Sequence, residues 1–303
     1  MTSATGGALL VVALVISLGA VLRRTAVLEP AGWTGIERLV YFVCFPSLLF
    51  VELARADLAG LPVLAFGGTL VATQLVMAAL ASAAHRLFRL PGPTYTSVLQ
   101  GVVRWNSYVA LALAPALHGQ LGAALAALAV AVMTPAANLL SVVALARHGR
   151  AERLGIGGTA RALLTNPLLL APAAGVAVNL AGLELPRLVA EPLRLLGQAT
   201  LPLGLLAVGA ALRLAAVAGR PVLLAGATLG KLLVMPAVAS GIGLLAGLDG
   251  TALGMVLLVT GVPTATSAYV LARLLGGDAE LMAALITATT VAAMATLPLL
   301  LAL

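Results

Sequence analysis

Apolar residues in this chain come in ten long runs, broken by short clusters of Arg, Gly, Pro and acidic residues. About 20 apolar residues cross the hydrocarbon core of a bilayer as a helix. The runs fall at 7–22, 34–54, 61–84, 94–117, 121–146, 159–182, 188–212, 221–247, 250–275 and 280–302. The pattern predicts an all-α membrane protein of ten transmembrane helices, with loops of a few residues and no soluble domain. The longest connection, RHGRAERLGIGG at 147–158, is the natural linker between residues 1–150 and 151–303. The first run reads as a span and not as a cleaved leader, because MTSATGG has no basic residue and Arg23 and Arg24 follow the apolar stretch.

The second half repeats the first at a shift of about 156–160 positions. RLVYFVCFPSLLF (38–50) falls on RLLGQATLPLGLL (194–206), matching Arg38 with Arg194 and Pro46 with Pro202. Pro30 falls on Pro186, Pro62 near Pro221, Tyr108 near Tyr269, and QLGAAL (120–125) on ELMAAL (280–285). Five helices per half is an odd number, so the two halves enter the membrane in opposite senses. A 5+5 inverted repeat is a secondary-transporter layout, with the substrate site where broken helices of the two halves meet.

Composition narrows the class. The chain is 62% hydrophobic and only 9% charged, with a mean hydropathy of +1.13; soluble domains run near a quarter charged. The net charge of +7 would suggest nucleic acid in a soluble protein. Here the arginines sit at span ends, so no nucleic-acid partner is expected. With the N-terminus outside, the inner ends carry Arg23, Arg24, Arg38, Arg86, Arg89, Arg147, Arg150, Arg153, Arg161, Arg213, Arg220 and Arg273. The outer ends carry only Arg55, Arg187 and Arg194, with Asp57, Glu184 and Asp249. The excess of inner arginine puts both termini outside and the 147–158 loop in the cytoplasm. One cysteine, Cys44, rules out a disulfide framework. His85, His118 and His148 lie near span ends in no ligand pattern, and no nucleophile elbow, phosphate loop or pair of buried carboxylates is present. Neither an enzyme nor a metal or cofactor site is expected.

Two basic residues remain inside spans: Arg104 and Lys231. Ionisable groups at that depth are functional candidates, because burying them is expensive. Arg104 belongs to GVVRWNSYVALALAP (101–115), whose centre holds Asn106, Ser107 and Tyr108. Its repeat partner, TGVPTATSAYVLAR (260–273), has Gly261 and Pro263 followed by Thr264, Thr266 and Ser267. Proline removes a backbone donor and clashes with the preceding turn, so span 9 should break near Gly261–Pro263; in span 4 only polarity and symmetry argue for a break. Half-helix N-termini at such breaks suit a carboxylate. The plainer alternative for 104–108 is a polar seam between helices. Lys231 either snorkels inward from its span or touches substrate or a coupling proton. Asn138 is either a ligand or an interhelical hydrogen bond. Thr287, Thr289 and Thr290 read as bonding back to their own helix.

Those same stretches carry a resemblance. LVYFVCFPSLLFVELA, GVVRWNSYVALALA, LPLGLLAVGAAL (201–212), KLLVMPAV (231–238) and the GVPTATSAYVLARLLGGD segment are similar to the auxin efflux carrier family of membrane transporters, which includes bacterial permeases for malonate or malate. The resemblance implies a fold shared in outline with bile-acid:sodium symporters. Spans 1, 2, 6 and 7 would form a scaffold, spans 3–5 and 8–10 a moving transport domain, and helices 4 and 9 would cross at the site. It also implies a homodimer. Asn106 and Pro263 match the family's crossover asparagine and proline. The span-4 proline of the plant carriers is missing, and span 3 lacks their Asp and Lys, offering Thr69, Thr73, Gln74 and Ser82. The expectation is therefore a permease of the inner or plasma membrane for a small organic anion, working by an elevator-like movement, by export or linked to protons. The alternatives are a sodium-coupled symporter of bile-acid type and a non-transporting receptor or scaffold.

Overall fold

The computed structural model describes residues 3–56, 62–149, 167–213, 216–217 and 219–302, and these are helical with no strand among them. Most of the 147–158 linker, the start of span 6, and Asp57, Arg150, Arg153 and Arg161 of the charge pattern lie outside the described residues. Six helical stretches among the described residues are long and apolar enough to cross a membrane: Gly6–Arg24, Val63–Phe88, Gly92–His148, Arg187–Ala210, Pro221–Leu245 and Ala279–Leu300. The shorter apolar helices Leu170–Leu180 and Gly250–Gly261 lie in the apolar runs 159–182 and 250–275. These helices make the chain a multi-pass membrane protein, all-helical among the described residues.

The described helices group into two compact units. The first takes Met1–Leu61, Tyr108–Ala131 and Ala160–Ala211; the second takes Pro62–Ser107, Val132–Thr159 and Leu212–Leu303. In the first, α1 (Ser3–Arg24) lies against α9 (Thr200–Ala210). A Cβ on Gly19 would run into the Leu206 carbonyl, and one on Gly209 into that of Ile16. Small residues let helix backbones touch, and in lipid that packing, not water exclusion, drives association. Next, α2 (Pro30–Leu39) continues through a wide turn, Val40–Cys44, into α3 (Phe45–Ala54). Against α3 pack α7 (Pro167–Leu180) and α8 (Arg187–Gln198). Asn179 closes the end of α3 by donating to the carbonyls of Ala54 and Ala56, at 3.3 and 2.7 Å.

The second unit contains α4 (Val63–Phe88), α5 (Gly92–Val103), α10 (Pro221–Leu229), α11 (Met235–Leu245), α12 (Gly250–Gly261), α13 (Ser267–Leu274) and α14 (Ala279–Leu300). Asp278 caps α14 through the Leu281 N–H (3.1 Å) and pairs with Arg220 at 2.8 Å. It also accepts from Thr94 in the first turn of α5. The helical run α6, Ser107–His148, is interrupted at His118–Gly119. Gly119 has φ 60° and ψ −146°, a conformation open essentially to glycine alone. This is where the sequence ends span 4 and begins span 5.

Three prolines loosen their helices one turn upstream, because the ring cannot donate and collides with the carbonyl four residues back. Before Pro46 and Pro236 the helix widens by one residue, over Val40–Cys44 and Gly230–Val234. In those turns Phe45 N–H reaches back to Val40 and Met235 N–H to Gly230. Before Pro202 the helix is interrupted for one residue, at Ala199 between α8 and α9, which keeps helical dihedrals (φ −72°, ψ −17°).

Candidate functional site

Two helices of the second unit stop in mid-span. Helix α5 ends at Val103, and Arg104 turns to extended backbone (φ −85°, ψ 149°). Helix α12 ends at Gly261, and Val262 does the same (φ −67°, ψ 155°). Pro263 accounts for the second break, since the residue before a proline is pushed out of the helical region. No proline accounts for the first. The two extended segments hold each other: Asn106 N–H donates to the Pro263 carbonyl at 2.8 Å. Space is tight here, for a Cβ on Gly101 would sit 2.9 Å from Leu285 Cδ1, and one on Gly261 2.9 Å from Leu300 Cδ1.

Breaking a helix in lipid frees carbonyls that have no water to bind, so protein donors must replace it. They are present. Thr264 Oγ1 donates to the Gly101 carbonyl at 2.6 Å, and its own N–H donates to Thr289 Oγ1 at 3.2 Å. Gln74 Nε2 donates to the carbonyls of Val103 (3.0 Å) and Met133 (3.1 Å). Lys231 Nζ donates to the Thr260 carbonyl at 3.0 Å. Thr264, Gln74 and Lys231 are all fully buried. Lys231 therefore points into the unit and does not snorkel to a helix end.

Arg104, only 9% exposed, lies at the break of α5. Its Nη1 donates to Asn138 Oδ1 at 2.8 Å and its Nη2 to Ser267 Oγ at 3.0 Å. Asn138 thus makes an interhelical hydrogen bond that orients the guanidinium. Ser107 and Thr266 are half-buried and Ser267 is exposed; Ser107 and Ser267 open α6 and α13, and Thr266 directly precedes α13. Arg104, Asn106, Ser107, Pro263, Thr264, Thr266, Ser267 and Asn138 all belong to the second unit. Tyr108 does not join them. Its ring lies in the first unit, 5.1 Å from that of Phe45 and against Gly204, where a Cβ would be 2.7 Å from the Tyr108 ring. At about 100° per residue, the side chain after Ser107 on a new helix faces another way.

Sequence reasoning passed over several partners. Thr287, Thr289 and Thr290 do bond back to their helix, to Ala283, Leu285 and Ile286. Yet Thr289 also receives the Thr264 N–H and Thr287 the Arg213 N–H. Gln100, fully buried one turn before Val103, was not singled out either. Nor was the meeting of His85, Tyr95 and His148: the His85 ring stacks on Tyr95 at 4.4 Å, with His148 edge-on. Among the described residues no cluster of three metal-ligating side chains occurs.

Comparison with known proteins adds one finding. Residues 156–301 match the family described as membrane transport protein, which is a transporter family and not an enzyme family. That stretch contains Lys231, the break at Gly261–Pro263, and Ser267. No curated protein matches the chain. This match covers the part of the chain that carries the break at Gly261–Pro263, and it supports the resemblance to the auxin efflux carrier family of membrane transporters.

Proposed function

We propose that this transporter carries a small organic anion, with the crossing segments at Arg104–Asn106 and Val262–Thr266 as its substrate site. Arg104 carries the reading. Its guanidinium is kept at a helix break by neutral oxygens from two other helices. A planar fork fixed in that way suits a carboxylate better than a flexible ammonium does. Beside it, the starts of α6 and α13 offer positive helix ends and the hydroxyls of Ser107, Thr266 and Ser267. Asn106 and Thr264 hold the frame, and Asn138 aims the arginine.

On this reading the chain has ten spans in an inverted repeat, 1–150 and 151–303, with both termini outside the cell membrane. Spans 3–5 and 8–10 move in an elevator-like way against spans 1, 2, 6 and 7, in a homodimer. A monovalent anion leaving an inside-negative cell gains about 2.3 kcal/mol per 100 mV, so export needs no coupling ion, whereas uptake would need one, such as a proton.

The test is transport by the purified chain in liposomes, against a panel of labelled mono- and dicarboxylates. Saturable flux of at least one, with a current of the sign an anion carries, is the expected result. Repeating it with and without a pH gradient, and with sodium replaced by choline, separates free export from proton or sodium coupling. Well-incorporated protein that moves none of the panel would sink the proposal and leave a receptor or scaffold role.

A further inference from the structure

The two broken helices end in the same predicament and are closed by residues in matching positions. Helix α5 ends on the Val103 carbonyl, held by Gln74 of α4. Helix α12 ends at Gly261, and the carbonyl one residue before that end, Thr260, is held by Lys231 from the wide turn before Pro236. From Gln74 to Lys231 is 157 residues, and from Val103 to Thr260 is also 157. That shift falls within the 156–160 positions that bring the two halves of the chain into register. A half-helix C-terminus carries partial negative charge, and in lipid-embedded carriers such ends are where coupling cations bind. Here one end receives a neutral amide and the other an ammonium.

Neutral groups, and no ion pair among the described residues, hold that ammonium. Lys231 is fully buried. Its Nζ has two acceptors, the Thr260 carbonyl at 3.0 Å and Met235 Sδ at 3.1 Å, both uncharged. It is in no ion pair among the described residues. A charge buried this way is costly, and its compensation is the carbonyl end of α12.

We propose that Lys231 is a tethered cation that fills, at the C-terminus of α12, the place a sodium or potassium ion would take in an ion-coupled carrier. The break in span 9 is then held together without any metal cation, and Gln74 is the neutral counterpart at the break in span 4. What this means for transport rests on the crossing segments being the substrate site. The claim itself does not, because it concerns the assembly of the break and is read without substrate.

The experiment is thermal unfolding of the purified full-length protein in detergent, followed by the fluorescence of Trp33 and Trp105. The parent should melt at the same temperature in sodium, potassium and choline chloride at equal ionic strength. Lys231→Met, which keeps length and apolar bulk, should melt lower by about 5 °C or more. Lys231→Ala should regain part of its loss in ethylammonium chloride, which can fill the space and supply the charge, and none in choline chloride, which is too large. A parent stabilised specifically by sodium or potassium would overturn the proposal, as would a Lys231→Met protein as stable as the parent. Should both variants fail to express, the cation-insensitivity of the parent still decides. Failure to find a transported anion would leave these melting results standing, and the reverse also holds.

Discussion

Replacing Arg104 by alanine removes the guanidinium at the crossing of the two breaks. In the substrate-free protein it costs the hydrogen bonds to Asn138 and Ser267. Bonds to a charged group are worth about 1.5–3 kcal/mol each. Ser267 is exposed and Asn138 half-buried, so water can replace part of that, and the folding penalty should stay near ~2 kcal/mol. Anion binding should suffer more. Losing one partner of a desolvated charge pair costs about 2–5 kcal/mol, or roughly thirtyfold to several thousandfold in Kd. Arg104→Lys should restore only part, because an ammonium cannot span both Asn138 and Ser267 while also gripping a carboxylate. The assay is equilibrium binding of the best anion from the transport panel to parent, Arg104→Ala and Arg104→Lys, beside their monodispersity and melting temperatures. A well-folded Arg104→Ala protein that binds and moves the anion as the parent does would refute the assignment. Arg104 would then be a structural tie between α5, α6 and α13.

Thr264→Val keeps the side-chain shape but removes the hydroxyl on the Gly101 carbonyl. Leaving that carbonyl buried and bare should cost about 1–3 kcal/mol, measured as a lower melting temperature without any ligand. Gln74→Met exposes the same weakness at the other break, stripping donors from Val103 and Met133, and should destabilise by a similar amount per carbonyl. Gly209→Val forces a side chain into the Ile16 carbonyl; the first unit should lose at least ~2 kcal/mol, seen as poor expression or a lower midpoint. Asp278→Asn weakens both the cap of α14 and the pair with Arg220. Because Arg220 is largely exposed, the loss should be near ~1 kcal/mol, and it should shrink as salt is raised.

Much of the architecture can be read along the chain because lipid solvent makes backbone demands local. Helix length follows from bilayer thickness, and a helix satisfies its own donors and acceptors. The end of span 4 and start of span 5 about His118–Gly119, the break near Pro263, and the polar centre at Arg104 all depend on neighbours in sequence. The chemistry of proline and glycine expresses itself within one turn. Hydropathy located the long spans for the same reason.

What the tertiary structure decided is who answers each freed group. Span 4 breaks without a proline, and what holds it open comes from far away: Pro263 accepts from Asn106, Thr264 reaches Gly101 across 163 positions, and Gln74 reaches Val103 across 29. Tyr108 looked like part of the polar cluster because it follows Ser107, but the start of a new helix turned it onto Phe45 and Gly204. Lys231 left two directions open in sequence. The wide turn before Pro236 and the end of α12 set it inward, on Thr260. A chain can state by itself where a backbone must break. Which side chain closes the break depends on packing partners that only the folded arrangement brings within three ångströms or so of it.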